Sequence, residues 1–212
     1  MIKGFFISGT DTNVGKTIVS SILVNKLSAW YYKPIQCGLS NNNEIDSDVV
    51  KKLTKNSRII KETYFFKNPI NPFDASLIEK KKIIIKKLIE VRNIKTNDKI
   101  IIEGAGGLYV PIKKNYLMID LSKDLDLPLI LVSRTNLGTI NHTLMSLEII
   151  RKRKIKFLGV IFVGKNERNT INTISILGKK ILGKRLNILG RIPIINTLDQ
   201  SSIKKLTSRI NF

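Results

Sequence analysis

The chain has few of the residues that build covalent or metal-bound frameworks. Its 212 residues include one cysteine, Cys37, and one histidine, His142. A single cysteine excludes an internal disulfide and a zinc site made of cysteines. The sequence also lacks an apolar run of about 18 residues, the length that a membrane-spanning helix requires. No signal-peptide pattern precedes the first predicted strand, so we expect a soluble, cytoplasmic protein.

Acidic residues are scarce relative to basic ones. Asp and Glu number 16 against 37 Lys and Arg, which gives a formal net charge of +21. Such a charge attracts nucleic acid or anionic membranes without a specific pocket. The basic residues are scattered, however, with short clusters at 80–82, 86–87 and 151–154 beside apolar helix positions. We interpret these clusters as solvated helix faces, and we expect no specific nucleic-acid partner and no membrane partner.

Short apolar runs alternate with amphipathic stretches along the chain. This pattern predicts an α/β fold with a mostly parallel central sheet and helices on both faces. The predicted strands are 3–8, 30–33, 99–103, 129–133, 157–163 and 188–190. The predicted helices are 16–28, 47–53, 78–91, 139–153, 170–182 and 201–209. We expect residues 1–212 to form a single domain whose ligands bind at the carboxyl ends of the strands.

A glycine-bounded loop connects the first predicted strand to the first predicted helix. It runs from Gly9 to Gly15 and is followed by Lys16 and Thr17. In this context backbone N–H groups can face phosphate oxygens, the lysine supplies a positive charge, and the threonine hydroxyl can bind magnesium. Five residues separate the two glycines, where the usual phosphate-loop motif has four. The order of strand, loop and helix predicts a nucleotide site.

Two further strand ends and one helix start carry chemically informative side chains. Lys33 follows the second strand, and Glu103 ends the third strand before a glycine-rich run. A carboxylate at that position commonly completes the metal shell opposite a phosphate loop. Asp46 and Asp48 lie at a predicted helix start, where an acidic side chain can bind magnesium or cap the helix. Capping is the role that we favour for one of the two aspartates.

Six segments, taken in order, resemble the dethiobiotin synthetase family. They are GTDTNVGKT at 9–17, YKPIQCG at 32–38, SD at 47–48, EGAGGL at 103–108, NHTL at 141–144 and LGRIP at 189–193. The similarity covers nearly the whole chain, and the irregular phosphate loop is the form that this family uses. The resemblance implies a P-loop NTPase-like fold in one ATP-dependent synthetase domain.

The implied activity is that of an ATP-dependent cyclo-ligase. It converts 7,8-diaminopelargonate, carbon dioxide and ATP to dethiobiotin, ADP and phosphate in biotin biosynthesis, with Mg²⁺ and as a homodimer. The catalytic residues that the resemblance implies are Lys33 and Lys16. The implied ATP contacts are Asn13, Val14, Gly15, Lys16, Thr17, Ile18, Asp48, Glu103, Gly104, Ala105, Gly106, Pro193, Ile194 and Ile195. The implied metal ligands are Thr17, Asp48 and Glu103, and the implied substrate contacts are Cys37 and Asn141.

Several positions depart from the family pattern or have a second interpretation. Cys37 stands where the family usually has a small hydroxyl residue, and we interpret it as lining a pocket rather than as a reactive thiol. The family's adenine-reading Asn-Asp pair aligns with Val163 and Gly164, so the purine contact is either missing or supplied by the nearby Asn166. Asn141 can contact substrate or cap its helix. We interpret the neighbouring His142 as structural.

Two other functions remain open from the sequence. A chromosome-partitioning ATPase of the related phosphate-loop group would use the positive charge on nucleic acid or lipid. Such proteins carry a second lysine early in the loop, where this chain has Asp11. A catalytically decayed remnant is the other alternative. The retained Lys16, Thr17, Lys33, Asp48 and Glu103 argue against it.

Overall fold

Eleven strands and eight α-helices form the fold of this computed structural model, which describes residues 2–40, 43–55 and 58–212. The strands are β1 Lys3–Gly9, β2 Trp30–Tyr32, β3 Ile35–Cys37, β4 Ile59–Ile60, β5 Tyr64–Phe66, β6 Lys99–Gly107, β7 Pro111–Lys113, β8 Tyr116–Leu117, β9 Leu129–Arg134, β10 Phe157–Val163 and β11 Ile188–Ile192. The helices are α1 Lys16–Leu27, α2 Asp46–Thr54, α3 Pro72–Ile78, α4 Ile85–Ile89, α5 Met118–Leu125, α6 Thr139–Lys152, α7 Arg168–Leu182 and α8 Gln200–Leu206. Two 3₁₀ turns cover Glu90–Asn93 and Thr207–Arg209.

Seven strands form one parallel sheet in the order β11-β10-β9-β1-β6-β2-β4. The strand before the phosphate loop, β1, lies at the centre and pairs with β6 and β9. Two small sheets, β3 with β5 and β7 with β8, lie outside the large one. The prediction of a mostly parallel central sheet is therefore confirmed.

The helices cover both faces of the sheet, as the sequence predicts. On one face, α1, α2 and α8 pack on alternate residues such as Ile7 of β1 and Ile101 of β6. On the other face, α3 to α7 pack on the intervening residues, such as Phe6 and Ile102. Successive side chains of a strand point to opposite faces, so both sets are buried.

The predicted helix 78–91 is wrong. Asn71 caps α3 by accepting from the Asp74 amide, and Pro72 occupies the first turn, so a helix begins six residues earlier than predicted. The chain leaves it through Lys80, whose φ is +51°, while the Glu79 carboxylate binds the Lys67 amide. Residues 81–84 lie outside any helix, with Ile84 in an extended conformation, and Ile83 among them is buried.

Helix α5, which follows the β7–β8 hairpin, is absent from the predicted helices. Asp120 accepts a hydrogen bond from the Leu117 amide at 2.8 Å, which fixes the first turn of this helix. Its apolar side is buried through Met118 and Leu121, among others. The signal was a short amphipathic stretch with an acidic residue in its first turn.

Candidate active site

The phosphate loop lies between the carboxyl end of β1 and the start of α1. The Thr10 amide donates to the Val132 carbonyl at 2.9 Å, and the Lys16 Nζ donates to the Asp11 carbonyl at 3.0 Å. Gly15 precedes α1 with a φ of +98°, and no side chain caps the helix. The amides of its first turn are thus available to an anion, as phosphate binding at a helix N-terminus requires.

Two loop positions require glycine for reasons of space. A Cβ on Gly9 would lie 2.6 Å from the Asp11 carbonyl oxygen and 3.1 Å from the Lys16 Nζ. A Cβ on Gly15 would lie 3.1 Å from the Val163 side chain, in a backbone conformation that L-residues rarely adopt. The loop therefore packs tightly between β1 and the end of β10.

Arg134, at the end of β9, holds the loop from outside. Its guanidinium donates to the Thr12 carbonyl at 3.0 Å. This contact spans 122 residues of sequence, so the residue pattern gave no sign of it.

A buried lysine and two carboxylates face the phosphate loop. Lys33, directly after β2, is 4 % exposed. Its Nζ lies 2.5 Å from Asp46 Oδ2 and 3.0 Å from Glu103 Oε1. The Thr17 hydroxyl also donates to Glu103 Oε1, at 3.0 Å. The ends of β1, β2 and β6 thus bring together three of the side chains that the sequence selected: Thr17, Lys33 and Glu103.

The two lysines differ in their electrostatic surroundings. Burial, and then repulsion from Lys33, lowers the pKa of Lys16 to about 8. Burial alone would lower the pKa of Lys33 as well, but the attraction of Glu103 and Asp46 outweighs it and raises that pKa above its usual value. Burial would raise the pKa of Asp46, and the adjacent Lys33 ammonium holds it below its usual range instead. Lys33 and Asp46 are therefore both charged at neutral pH.

A cavity of about 860 Å³ opens at this edge of the sheet. The residues that line it include the phosphate loop and the network just described. They are Thr12, Asn13, Gly15, Lys16, Thr17, Ile18, Lys33, Gln36, Cys37, Leu39, Ser40, Asp46, Pro69, Ile70, Asn71, Pro72, Glu103, Ala105, Gly106 and Val110. Its size is within the range of small-molecule sites.

The two aspartates of α2 lie in different surroundings, and the role of Asp48 as a metal ligand stays a prediction. Asp48 is exposed and does not line the cavity, whereas Asp46 lines it and contacts Lys33. The cause is the phase of α2, which buries Val50 and Leu53. Asp46 lies four residues before Val50 and on the same side of the helix, while Asp48 lies two residues before it and points away. Neither aspartate is the residue before α2, which is Ile45.

The remaining predicted nucleotide contacts lie in different places. Val14 is 2 % exposed and packs in the core below the loop. Gly104 accepts from the Lys33 Nζ through its carbonyl at 3.4 Å. The stretch from Pro193 to Ile195 follows β11 and is outside the lining of the cavity, with Ile194 74 % exposed. Its contact with the base stays a prediction.

The predicted substrate residues also separate. Cys37 lines the cavity, and burial raises the pKa of its thiol to about 12, so the thiol stays protonated. Asn141 is exposed on α6 and outside the cavity lining. The residue that precedes α6 is Gly138, so the interpretation of Asn141 as a cap is wrong. Its contact with substrate stays a prediction, and His142 beside it is exposed.

The oxygen atoms at this site fit a magnesium ion. The carboxylates of Asp46 and Glu103 both contact Lys33, and the Thr17 hydroxyl donates to Glu103. Magnesium in phosphate-transfer sites is typically held by one or two carboxylates together with substrate phosphates. Within residues 2–40, 43–55 and 58–212, there is no cluster of three or more His, Cys, Asp or Glu side chains that could hold a metal alone. The nucleotide would supply the rest of the shell.

Solved structures share this fold at low sequence identity. A ParA family ATPase from Chlorobium tepidum TLS superposes with a TM-score of 0.56 at 14 % identity, covering 98 % of both chains. The septum site-determining protein MinD from Pyrococcus horikoshii OT3, complexed with Mg-ADP, gives 0.57 at 15 % identity, covering 98 % of this chain and 95 % of that one. Identities this low establish a P-loop NTPase fold and no more.

Sequence comparison is more specific. A family model described as an AAA domain matches residues 3–202. The ATP-dependent dethiobiotin synthetase BioD of Lawsonia intracellularis is 42 % identical over 202 residues, covering 95 % of this chain and 93 % of that protein. The protein of the same name from Bradyrhizobium diazoefficiens is 38 % identical, covering 91 % and 88 %, and that from Agrobacterium fabrum is 40 % identical, covering 89 % and 86 %. The chain belongs to the ATP-dependent dethiobiotin synthetase family.

Proposed function

We propose that this protein forms dethiobiotin from 7,8-diaminopelargonate, carbon dioxide and ATP, as a cytoplasmic enzyme with one synthetase domain over residues 1–212. The observation that carries the proposal is the convergence of Lys16, Thr17, Lys33, Asp46 and Glu103 on one cavity. Family membership supplies the reaction, and this convergence supplies the groups that the reaction needs.

The reaction has three bond-forming steps. One amine of the substrate attacks carbon dioxide and loses a proton, which gives a carbamate. A carbamate oxygen attacks the γ-phosphorus of ATP, and ADP leaves, which gives a carbamic–phosphoric anhydride. The second amine then attacks the anhydride carbon, loses a proton and expels phosphate, which closes the ureido ring. No covalent bond to the protein is required, so positioning and charge stabilisation account for the catalysis.

The two lysines supply positive charge at different points of the site. Lys16 follows the phosphate loop and serves the phosphates, with the amides at the start of α1. Lys33 lines the same cavity and serves the γ-phosphate and the carbamate. A magnesium ion held by Thr17, Asp46 and Glu103 would neutralise charge on the phosphates. The positive charges of the two lysines offset the negative charges of the two carboxylates. An entering triphosphate therefore needs a further cation to offset its own negative charge.

Cys37 and the segment from Pro69 to Pro72 also line the cavity and would hold the diamine. The thiol offers only a weak hydrogen bond, so shape rather than polarity would dominate this contact. Asn141 lies outside the lining of this cavity, so a contact with substrate would require further residues to extend the site toward α6.

We further propose a homodimer that uses the surface around α6. Three apolar side chains are exposed there, Leu137 by 104 %, Met145 by 56 % and Tyr109 by 53 %. A second copy that covers this surface would bury them and would lie close to Asn141. Sedimentation analysis of the wild type and of Met145→Lys tests this, since a dimer that uses this face should dissociate in the variant.

The activity itself is tested by phosphate release from ATP and Mg²⁺, with the diamine and bicarbonate omitted in turn, together with detection of dethiobiotin by mass spectrometry. Product that depends on both substrates supports the synthetase. ATP hydrolysis stimulated by DNA or anionic vesicles, without product, would support a partitioning-type ATPase instead. The Asp11 carboxylate, which accepts from the Thr12 amide within the loop, argues against that function because it stands where such ATPases carry a lysine.

A further inference from the structure

The Tyr31 hydroxyl is a buried polar group with no part in the reaction described so far. Tyr31 lies in β2, and its exposed fraction is 0 %. The hydroxyl donates to Glu103 Oε2 at 2.9 Å. Tyr31 precedes Lys33 by two residues, and both side chains contact Glu103. It therefore reaches the same carboxylate as the catalytic lysine.

The two oxygens of Glu103 have separate partners. Oε2 receives the Tyr31 hydroxyl, whereas Oε1 receives both the Thr17 hydroxyl and the Lys33 Nζ at 3.0 Å. The side chain of Glu103 is buried, with 0 % of it exposed. The carboxylate thus has one oxygen fixed in the protein interior and the other directed at the groups that line the cavity. A carboxylate held at both oxygens has little freedom to rotate.

The phenol is well suited to this structural role. Burial, together with the nearby Glu103 charge, raises the pKa of Tyr31 well above its usual value, so the hydroxyl remains a donor over the working pH range. An unpaired carboxylate oxygen buried at this depth would be costly. A donor at Oε2 removes that cost without occupying Oε1.

We propose that Tyr31 is a positioning residue, which orients the Glu103 carboxylate so that Oε1 is presented to the magnesium ion of the bound nucleotide. The inference rests on the proposed function, in which Glu103 is a metal ligand. Partners that orient a metal ligand typically change metal affinity or activity by about 10- to 100-fold when they are removed.

The test is Tyr31→Phe, which removes the hydroxyl and keeps the ring. Mn²⁺ binding in the presence of a non-hydrolysable ATP analogue, followed by electron paramagnetic resonance, should weaken about tenfold or more. The Mg²⁺ concentration that gives half-maximal turnover should rise by a similar factor, while kcat at saturating Mg²⁺ falls less than the metal affinity. A purely structural role for the hydroxyl would lower thermal stability without this split.

Tyr32→Phe is a matched control. Tyr32 is the next residue of β2, is 2 % exposed, and shares a hydrogen bond with Thr63 on the opposite side of the strand. This variant also loses a buried hydroxyl, but it leaves Glu103 untouched. Its metal binding should match that of the wild type. Equal weakening in both variants, or wild-type metal binding in Tyr31→Phe, would overturn the proposal.

A double-mutant cycle protects the test against poor folding of the single variant. In a Glu103→Gln background, adding Tyr31→Phe should change metal binding by less than twofold, because the carboxylate to be oriented is gone. A further tenfold loss of metal binding in this background would show that Tyr31 does not act through the Glu103 carboxylate. If the wild type forms dethiobiotin and Tyr31→Phe binds metal normally, the role of Tyr31 is wrong and the proposed function stands. Absence of dethiobiotin would remove the proposed function, whatever the variants bind.

Discussion

The phosphate end of the site and its predicted base end are built in different ways. At the ends of β1, β2 and β6, buried charged side chains contact one another: Lys33 binds Asp46 and Glu103, and Thr17 binds Glu103. At the ends of β10 and β11 the contacts involve main-chain atoms. There the Gly164 amide donates to the Ile192 carbonyl at 2.9 Å, and the Arg191 guanidinium donates to the Gly164 carbonyl at 2.7 Å.

This difference follows from what each end contributes to the reaction. Groups that stabilise a developing charge must already be in place, since moving them during the reaction would cost part of the stabilisation. A base that takes no part in the bond changes adds binding energy only. We therefore expect substitutions at the phosphate end to reduce turnover severely, and we expect the base end to tolerate a change of nucleotide.

The largest effect is expected from Lys33→Ala and Glu103→Ala. Each should lower dethiobiotin formation by about 10²- to 10³-fold, because each removes a preorganised charge at the reacting phosphate. Mass spectrometry of the product measures this, and circular dichroism checks the fold. Lys33→Ala should also lower the melting temperature, since it leaves two carboxylates without their shared cation.

Asp98→Ala is a suitable control for these two variants. Its side chain is 45 % exposed and is paired with the exposed Arg58, so its removal should leave turnover unchanged. Turnover within tenfold of wild type in Lys33→Ala or Glu103→Ala would remove that residue from the mechanism.

A smaller effect is expected from pH acting on Lys16. The pKa of about 8 belongs to the nucleotide-free protein, and bound phosphate should raise it. Above pH 8 the lysine must take up a proton when nucleotide binds, so the affinity for Mg-ADP should fall about fivefold between pH 8 and 9. Calorimetry in two buffers with different ionisation enthalpies measures the proton uptake. An affinity that stays constant across this interval would contradict the assignment.

The same lowered pKa has a consequence for folding. Between about 8 and the usual 10.5, the unfolded chain binds the Lys16 proton more strongly than the folded protein does. The contribution of this group to the free energy of unfolding therefore rises with pH across that window. Lys33 has the opposite effect on the free energy of unfolding. Its raised pKa stabilises the fold below the pKa that the residue has in the unfolded chain, and this contribution is lost as the pH rises through the pKa of the folded protein.

The base end should discriminate weakly between nucleotides. Val163 and Gly164 carry no side-chain amide that could read adenine, so we expect kcat/KM for ATP and GTP to differ by less than about tenfold. Sites that do hydrogen-bond the distinguishing group reach about 10⁴-fold or more. Steady-state kinetics with ATP, GTP and CTP tests this. A preference for ATP above a thousandfold would show that another residue reads the base.

The smallest effect is expected at Cys37. Cys37→Ser should keep turnover within about threefold of wild type, because both side chains are small and the thiol offers only a weak hydrogen bond. The thiol should also react slowly with iodoacetamide at pH 7.5, since burial raises its pKa to about 12. Mass spectrometry follows the alkylation, and rapid modification with loss of activity would contradict the interpretation of Cys37 as a pocket-lining residue.

Local pattern was enough for most of the sheet. The predicted strand 157–163 matches β10, since a continuous apolar run between polar segments is typical of a strand buried on both faces. β6 continues to Gly107, four residues beyond the prediction, because Gly107 pairs with Gly9 across the phosphate loop. Periodicity failed for residues 78–91, where an apolar run among lysines fits a helix as well as it fits the extended chain that buries Ile83.

Local sequence patterns located the phosphate loop, Lys33 and Glu103, because each lies within a few residues of a strand end whose apolar run is visible. Packing of the whole domain places Asp46 rather than Asp48 at the cavity, and it brings Tyr31 to Glu103 across 72 residues of sequence. The first depends on which side of α2 packs against the core, and the second on the register between β2 and β6. Both are set by burial of apolar side chains over the whole domain, which no local pattern records.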